Sequence, residues 1–168
     1  KGETRPAARE ITVRDLLAHK SGLIYGVFDQ ESELGKMYMA AGDVRTDISG
    51  LELAKAIAAL PLAFDPGTAW RYSRSTDVLG AVIEVAAGKP LDALLDEQIF
   101  TPLGMNDTHF YLEADEVNRL AEPPTTIPPL SAVKEKAAMQ SGGGGLNSTT
   151  EDYFRFVEML RGRGTYRG

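Results

Sequence analysis

One short signal occurs three times in this chain: a hydroxyl residue, an acid three positions later, and apolar residues spaced by three and four. It reads Thr12 with Asp15, Ser49 with Glu52, and Ser148 with Glu151. A hydroxyl at the N-cap accepts from the backbone N–H three residues on. The acid reaches back to the N–H of the cap, so two orphan donors of a helix start are satisfied together. Each signal therefore predicts a helix. The first leads into Leu16 and Leu17 and is stopped by Ser21-Gly22. The second leads LELAKAIAALP, where Leu53, Ile57 and Leu60 share a face and Pro61 ends the run. The third predicts a last helix with Tyr153, Phe156, Val157 and Leu160 as its apolar face.

The remaining segments read the same way. A weaker helical pattern runs through Leu34, Met37, Tyr38 and Ala41 before Gly42. Val78, Leu79, Val82, Ile83 and Ala86 form a wide apolar face that Gly88 stops. Pro90 then opens a helix carrying Leu91, Leu94, Leu95 and Ile99 as far as Pro102-Leu103-Gly104. FDPGT at 64–68 is a turn with Pro66 at its second position and Gly67 at its third. Residues 104–147 break the pattern. They hold Pro123, Pro124, Pro128 and Pro129, predict short strands only near THFYL, and end in SGGGGL. The expected fold class is therefore mainly α, with few short strands and a long irregular loop, in one domain over residues 1–168. A loop of that length inside a compact domain signals function or missing neighbours.

Composition removes several function classes. A formal charge of −6 argues against a nucleic-acid binder, which would carry a basic patch. No apolar run approaches the ~20 residues that span a bilayer, so no transmembrane segment is expected. No cysteine is present, which excludes disulfides, thiolate metal sites and a cysteine nucleophile. His19 and His109 stand apart without a carboxylate cluster, so neither a metal nor another cofactor is expected. His19 reads as a hydrogen-bonded residue at a helix end, and EADE at 113–116 as a solvated surface. Both ends are polar, and the first residue is lysine rather than methionine. That is the expectation for a piece of something larger.

The stretch WRYSRSTDVLG at 70–80 concentrates the candidate chemistry. If Ser75 or Thr76 caps the following helix, Tyr72 lies near the positive end of its dipole, which favours an anion. If 71–74 is extended, alternate side chains share a face, placing Arg74 beside Tyr72 and turning Arg71 away. A free tyrosine titrates near pH ~10, and neighbouring cations stabilise the phenolate. These are the parts of a tuned tyrosine that moves protons. A buried tyrosine that packs its ring and satisfies its hydroxyl would use the same residues. Trp70 has two readings as well: lining a cleft beside Tyr72, or core packing.

Four segments in order carry a resemblance: ITVRDLLAHKSGL (11–23), FDPGTAWRYSRSTDVLGAVIEVAAGKPL (64–91), IFTPLGMNDTHF (99–110) and SGGGGLNSTTEDYFRFVEML (141–160). Together they resemble the middle of the serine β-lactamase-related family, which includes class C β-lactamases, D-alanyl-D-alanine peptidases and esterases of the same fold. The resemblance implies the helical region of an α/β serine hydrolase. In that family a Ser-x-x-Lys serine attacks an ester, amide or lactam carbonyl. A Tyr-x-Asn tyrosine shuttles the proton, and a later Lys-Thr-Gly or His-x-Gly strand helps bind substrate.

The tyrosine motif falls on Tyr72-Ser73-Arg74, which implies Tyr72 as the catalytic residue and Arg74, Ser73 and Trp70 as substrate-binding residues. Arg74 stands where the family has Asn, a departure that favours an esterase or peptidase relative over a true lactamase. Tyr72-Ser73-Arg74-Ser75 is similar to the Tyr-Ser-x-Ser of the esterase branch.

Ser131-Ala132-Val133-Lys134 matches Ser-x-x-Lys, but it follows the tyrosine instead of preceding it and reads as a chance match. No Lys-Thr-Gly or His-x-Gly follows SGGGGL. The resemblance thus implies an internal fragment, inactive alone, whose parent takes a small ester, peptide or lactam substrate. SGGGG lacks the Gly-Lys-Ser/Thr of a phosphate cradle and is read as a close backbone approach or a mobile turn. A non-catalytic binding or scaffold protein of the same fold stays open; a Ser-x-x-Lys encoded shortly upstream of Lys1 separates the two. Apolar surface bared by truncation would promote self-association. Family members occur both exported and in the cytoplasm, so the compartment stays open.

Overall fold

The computed structural model describes residues 3–121 and 131–167. Helices and short helical turns dominate. Among the described residues the only β pairing is a single antiparallel bridge between His109 and Asn147. The strands expected near THFYL reduce to that bridge. The four prolines of the irregular region lie outside the described residues. The chain forms two compact units, Lys1–Ala86 with Ala138–Gly143, and Ala87–Ala137 with Gly144–Gly168.

The first unit is built on capped helices. In α1 (Val13–Leu17) the Thr12 and Asp15 side chains satisfy each other's backbone N–H groups. In α3 (Gly50–Ala58) Ser49 and Glu52 do the same. Between them lies α2 (Glu33–Ala40), where the Ser32 hydroxyl accepts from the Gly35 N–H. The buried core comprises Leu16, Leu23, Ile24, Tyr38, Leu53 and Ile57, with Leu60, Val78 and Leu79 packed against it. Each fully buried aliphatic side chain contributes about 1.5–3 kcal/mol of transfer free energy. Leu17, expected beside Leu16, faces solvent instead, because a helix this short buries one side only. The 64–68 turn forms as read: Thr68 N–H donates to the Asp65 carbonyl at 3.1 Å, and Gly67 takes φ +87°. That positive φ at the third position favours glycine.

Helix α4 (Ser75–Ala87) follows the irregular segment 70–74. Neither Ser75 nor Thr76 is its cap. Ser75 is already helical, and the first carbonyl used is that of Arg74, which accepts from Val78 N–H at 3.0 Å. The face that α4 buries is Ser75, Asp77, Gly80 and Ala81, while Val82, Ile83 and Val85 stay exposed.

In the second unit, α5 (Leu91–Leu95) widens into a π turn over Asp96–Phe100 and tightens again in α6 (Thr101–Leu103). Gly104 ends the run in the left-handed region. Phe100, Leu103 and Met105 pack with Phe156, Met159 and Tyr166. The last helix, α7 (Thr150–Arg161), is capped one residue later than read: Thr149 accepts from Asp152 N–H. The reason is that the Ser148 hydroxyl is engaged by Thr108 at 2.8 Å. The packed face also differs from the expected one. Phe156 packs inward, but Tyr153, Val157 and Leu160 are exposed and Met159 takes their place.

Candidate active site

The segment 70–74 lies against residues 19–24. Arg71 N–H donates to the His19 carbonyl at 2.9 Å, and Arg74 N–H to the Ile24 carbonyl at 3.3 Å. Trp70 and Tyr72 both meet the His19 ring, and both are open to solvent, at 64% and 48%. Arg71 points elsewhere and pairs with Asp29 at 2.9 Å. Arg74, in the turn just before α4, folds its side chain inward.

Ser73 is fully buried, as are Ser21 and Ser75. Ser75 Oγ lies 2.7 Å from both Ser21 Oγ and Ser73 Oγ, and the Nδ1 of His19 is 3.4 Å from Ser73 Oγ. The hydroxyls thus stitch residues 19–23 to the start of α4. Ser73 faces this ladder and has no surface to offer a substrate.

Arg74 is also inward. Its Nε donates to Asp43 Oδ1 at 2.9 Å, Nη2 to the Asp43 carbonyl, and Nη1 to Asp77 Oδ2 at 3.2 Å. Its guanidinium carbon lies 4.6 Å from the centroid of the Tyr25 ring. Burial disfavours the charge, but the hydrogen bond and charge of Asp43 more than offset it, with Asp77 adding to them, so Arg74 stays cationic. Ser73 and Arg74, read as substrate-binding residues, are both engaged by internal partners. The cation that was to sit beside Tyr72 is instead spent on two buried carboxylates.

Asp77 gathers the site. Its carboxylate accepts from Arg74, from the Tyr25 hydroxyl at 3.2 Å, and from the Ser141 hydroxyl. Burial, then the charge of Asp77, pushes the Tyr25 phenol well above the usual tyrosine range and keeps it a donor. Ser141 opens the glycine run, and Gly143 N–H donates back to its hydroxyl at 3.1 Å. The run is a close approach: a Cβ on Gly142 would lie 2.3 Å from the Thr76 carbonyl oxygen.

Above this network sits a group of rings. Tyr72 lies 5.0 Å from His19, 5.1 Å from Tyr25 and 6.4 Å from Phe28, centroid to centroid. Trp70 meets His19 edge-on at 6.2 Å. Sequence reading missed Tyr25, Phe28, Asp43, Asp77 and Ser141. Only Asp77 had a local signal, an acid one helical turn after Arg74. His19 does sit just past α1, as read, with its N–H on the Leu16 carbonyl. Among the described residues no group of three metal-ligating side chains occurs, and no helix is long and apolar enough to cross a membrane.

The family model described as Beta-lactamase matches residues 2–167. The chain belongs to the beta-lactamase family. Within it, the chain is 36% identical over 181 residues to Protein Rv1367c of Mycobacterium tuberculosis, covering 98% of this chain and 42% of that protein. It is 33% identical over 176 residues to Esterase EstB of Burkholderia gladioli, covering 90% of this chain and 44% of the esterase. Among solved structures it superposes on EstCE1, described as a hydrolase with promiscuous acyltransferase activity. The TM-score is 0.75 at 27% identity, over 94% of this chain and 47% of that one. The chain therefore spans less than half the length of the curated relatives it matches. The mainly helical architecture is that of the corresponding part of a beta-lactamase fold, and homologues in the family include esterases and acyltransferases.

Proposed function

We propose that this chain is the part of a serine hydrolase that supplies the proton-transfer tyrosine, Tyr72. The reaction is acyl transfer from an ester or amide carbonyl, with an ester or short peptide favoured over a β-lactam. The nucleophilic serine and the substrate-binding strand lie in polypeptide outside this chain, and the chain alone is inactive. In this reading the serine hydroxyl attacks the carbonyl while the Tyr72 oxygen takes its proton. The proton then goes to the leaving group as the tetrahedral intermediate collapses. Water repeats the exchange on the acyl-enzyme and frees the acid. Ser73 and Arg74 act as positioning residues: they anchor the segment from inside, so Tyr72 is presented outward on a rigid base.

The observation that carries the reading is the contrast within five residues. Tyr72 is held at the surface next to a helix start, while on its C-terminal side Ser73 is buried and the largely covered Arg74 is engaged by two carboxylates. A tyrosine kept only for packing would gain more by turning inward. The esterase among the matched relatives supports the same chemistry.

Tyr72→Phe in the full-length protein tests it, with a short-chain aryl ester and a chromogenic cephalosporin as substrates. The expected result is a loss of turnover of about 10²–10⁴-fold on every substrate the parent protein cleaves. Unchanged turnover would remove Tyr72 from the mechanism, and hydrolysis of esters alone would favour the esterase branch.

A further inference from the structure

Three aromatic side chains of the first unit are turned to solvent within one patch: Phe28 at 74%, Trp70 at 64% and Tyr72 at 48% exposed. They are linked through rings beneath and between them. Phe28 stacks toward Tyr72 at an interplanar angle of 28°, and both contact Tyr25. His19 joins Tyr72 to Trp70. Scattered exposed hydrophobic residues need no account, but a contiguous patch of large rings marks a binding surface.

The patch is also held still. Tyr25 is fixed from below by Asp77 and the Arg74 guanidinium. The short turn Gly26–Phe28 is tied down by Val27 N–H on Asp43 Oδ2 at 3.2 Å. A preorganised surface loses little entropy when a ligand arrives. The charges that approach it are matched internally, Arg71 with Asp29 and Arg74 with Asp43 and Asp77. That favours an uncharged ligand over an ionic one. Because the patch contains Tyr72, any molecule reacting there must lie against these rings.

We propose that Phe28, Trp70 and the Tyr25–Tyr72 ring pair form the surface that takes an aromatic or bulky apolar group of an uncharged ester and so sets substrate preference. This rests on Tyr72 belonging to the active site. The apolar group sits on the acyl or on the alcohol side of the ester, and its chemistry is the same in either case.

The test uses the full-length protein and kcat/KM for ethyl acetate, benzyl acetate and ethyl phenylacetate. Benzyl acetate adds the ring on the alcohol side and ethyl phenylacetate on the acyl side, so the arm with the larger preference assigns the side. Phe28→Ala and Trp70→Ala are each expected to lower the ring-over-ethyl preference by about threefold to tenfold, the size of one lost aromatic contact. Phe28→Tyr restores it, and Phe154→Ala, an exposed ring of the second unit, leaves it unchanged.

A preference unmoved by Phe28→Ala and Trp70→Ala, while Tyr72→Phe abolishes hydrolysis, would overturn this inference and leave the proposed reaction standing. A sharp drop in melting temperature in Phe28→Ala with an unmoved preference would also overturn it, since the rings would then be covered by the protein's own chain. Full turnover in Tyr72→Phe removes the proposed reaction itself.

Discussion

Each unit of the molecule buries an aspartate in the first turn of a helix, and the two are used differently. In the first unit Asp77 of α4 collects its neighbour Arg74, one helical turn before it, and two side chains from distant parts of the sequence, Tyr25 and Ser141. In the second, Asp152 of α7 accepts from the Asp107 N–H at 2.7 Å and the Thr108 hydroxyl at 3.0 Å. Both positions are electrostatically suited to an anion, near the positive end of a helix. Asp152 closes a loop onto a helix. Asp77 does this too, but one of its donors is a tyrosine whose ring floors an exposed aromatic patch, and another is a guanidinium that cannot leave without abandoning a second buried carboxylate. The lesson is that one local device becomes part of a candidate site when its partners reach the surface.

Removing each carboxylate separates the two uses most strongly. Asp77→Ala leaves a buried guanidinium with half its countercharge and is expected to cost about 3–5 kcal/mol. Asp152→Ala leaves the Asp107 N–H unpaired while Thr108 keeps Ser148, which costs about 1–3 kcal/mol. Denaturant unfolding of both variants checks the order, and equal losses would mean that the guanidinium is not dependent on Asp77.

The glycine run offers a smaller contrast across the same boundary. Gly142, in the first unit, is pressed on the Thr76 carbonyl and on Gly80, whereas Gly144, in the second, has nothing within 4 Å of an added Cβ. Gly142→Ala should therefore lose about 1–3 kcal/mol through overpacking. Gly144→Ala should stay within about 0.5 kcal/mol, as surface changes do. Thermal melts of the pair would show whether the run is seated as tightly as the distances indicate.

The smallest effect is on acid stability. In the first unit, hydrogen bonds from Arg9 and then from Thr12 hold Asp15 well below the usual carboxylate range. In the second, Arg119 lowers Asp107 through a more exposed pair. A depressed folded-state value means that stability is present above the unfolded value of 3.8 and is lost as pH falls through the folded one. Melting temperature should thus decline below about pH 4. Asp15→Asn should flatten that decline more than Asp107→Asn does, because exposed pairs are screened by solvent.

What could be read in advance follows the range of the forces involved. Helix starts at Thr12 and Ser49 depend on atoms three residues apart, and both formed as read. The same reading placed the third cap on Ser148, and a hydroxyl 40 positions away in sequence, Thr108, moved it to Thr149. Which side of α7 packs was likewise set by tertiary neighbours, Phe100, Leu103 and Met105. The beta-lactamase relationship was legible because its segments keep their order and spacing along the chain.

Of the proposed site, the sequence placed Trp70 and Tyr72 together, and both do meet the His19 ring at the surface. The fate of Arg74 was not legible. Local geometry placed it beside Tyr72, but Asp43, brought 31 positions along the chain, offers a buried carboxylate and carbonyl that no neighbouring group matches. Tyr25 and Phe28 join Tyr72 for the same reason, across more than 40 residues. Short-range hydrogen bonding and side-chain periodicity are written in adjacent letters. Which charge meets which, and which rings share a surface, depends on loop closures that only the folded chain supplies.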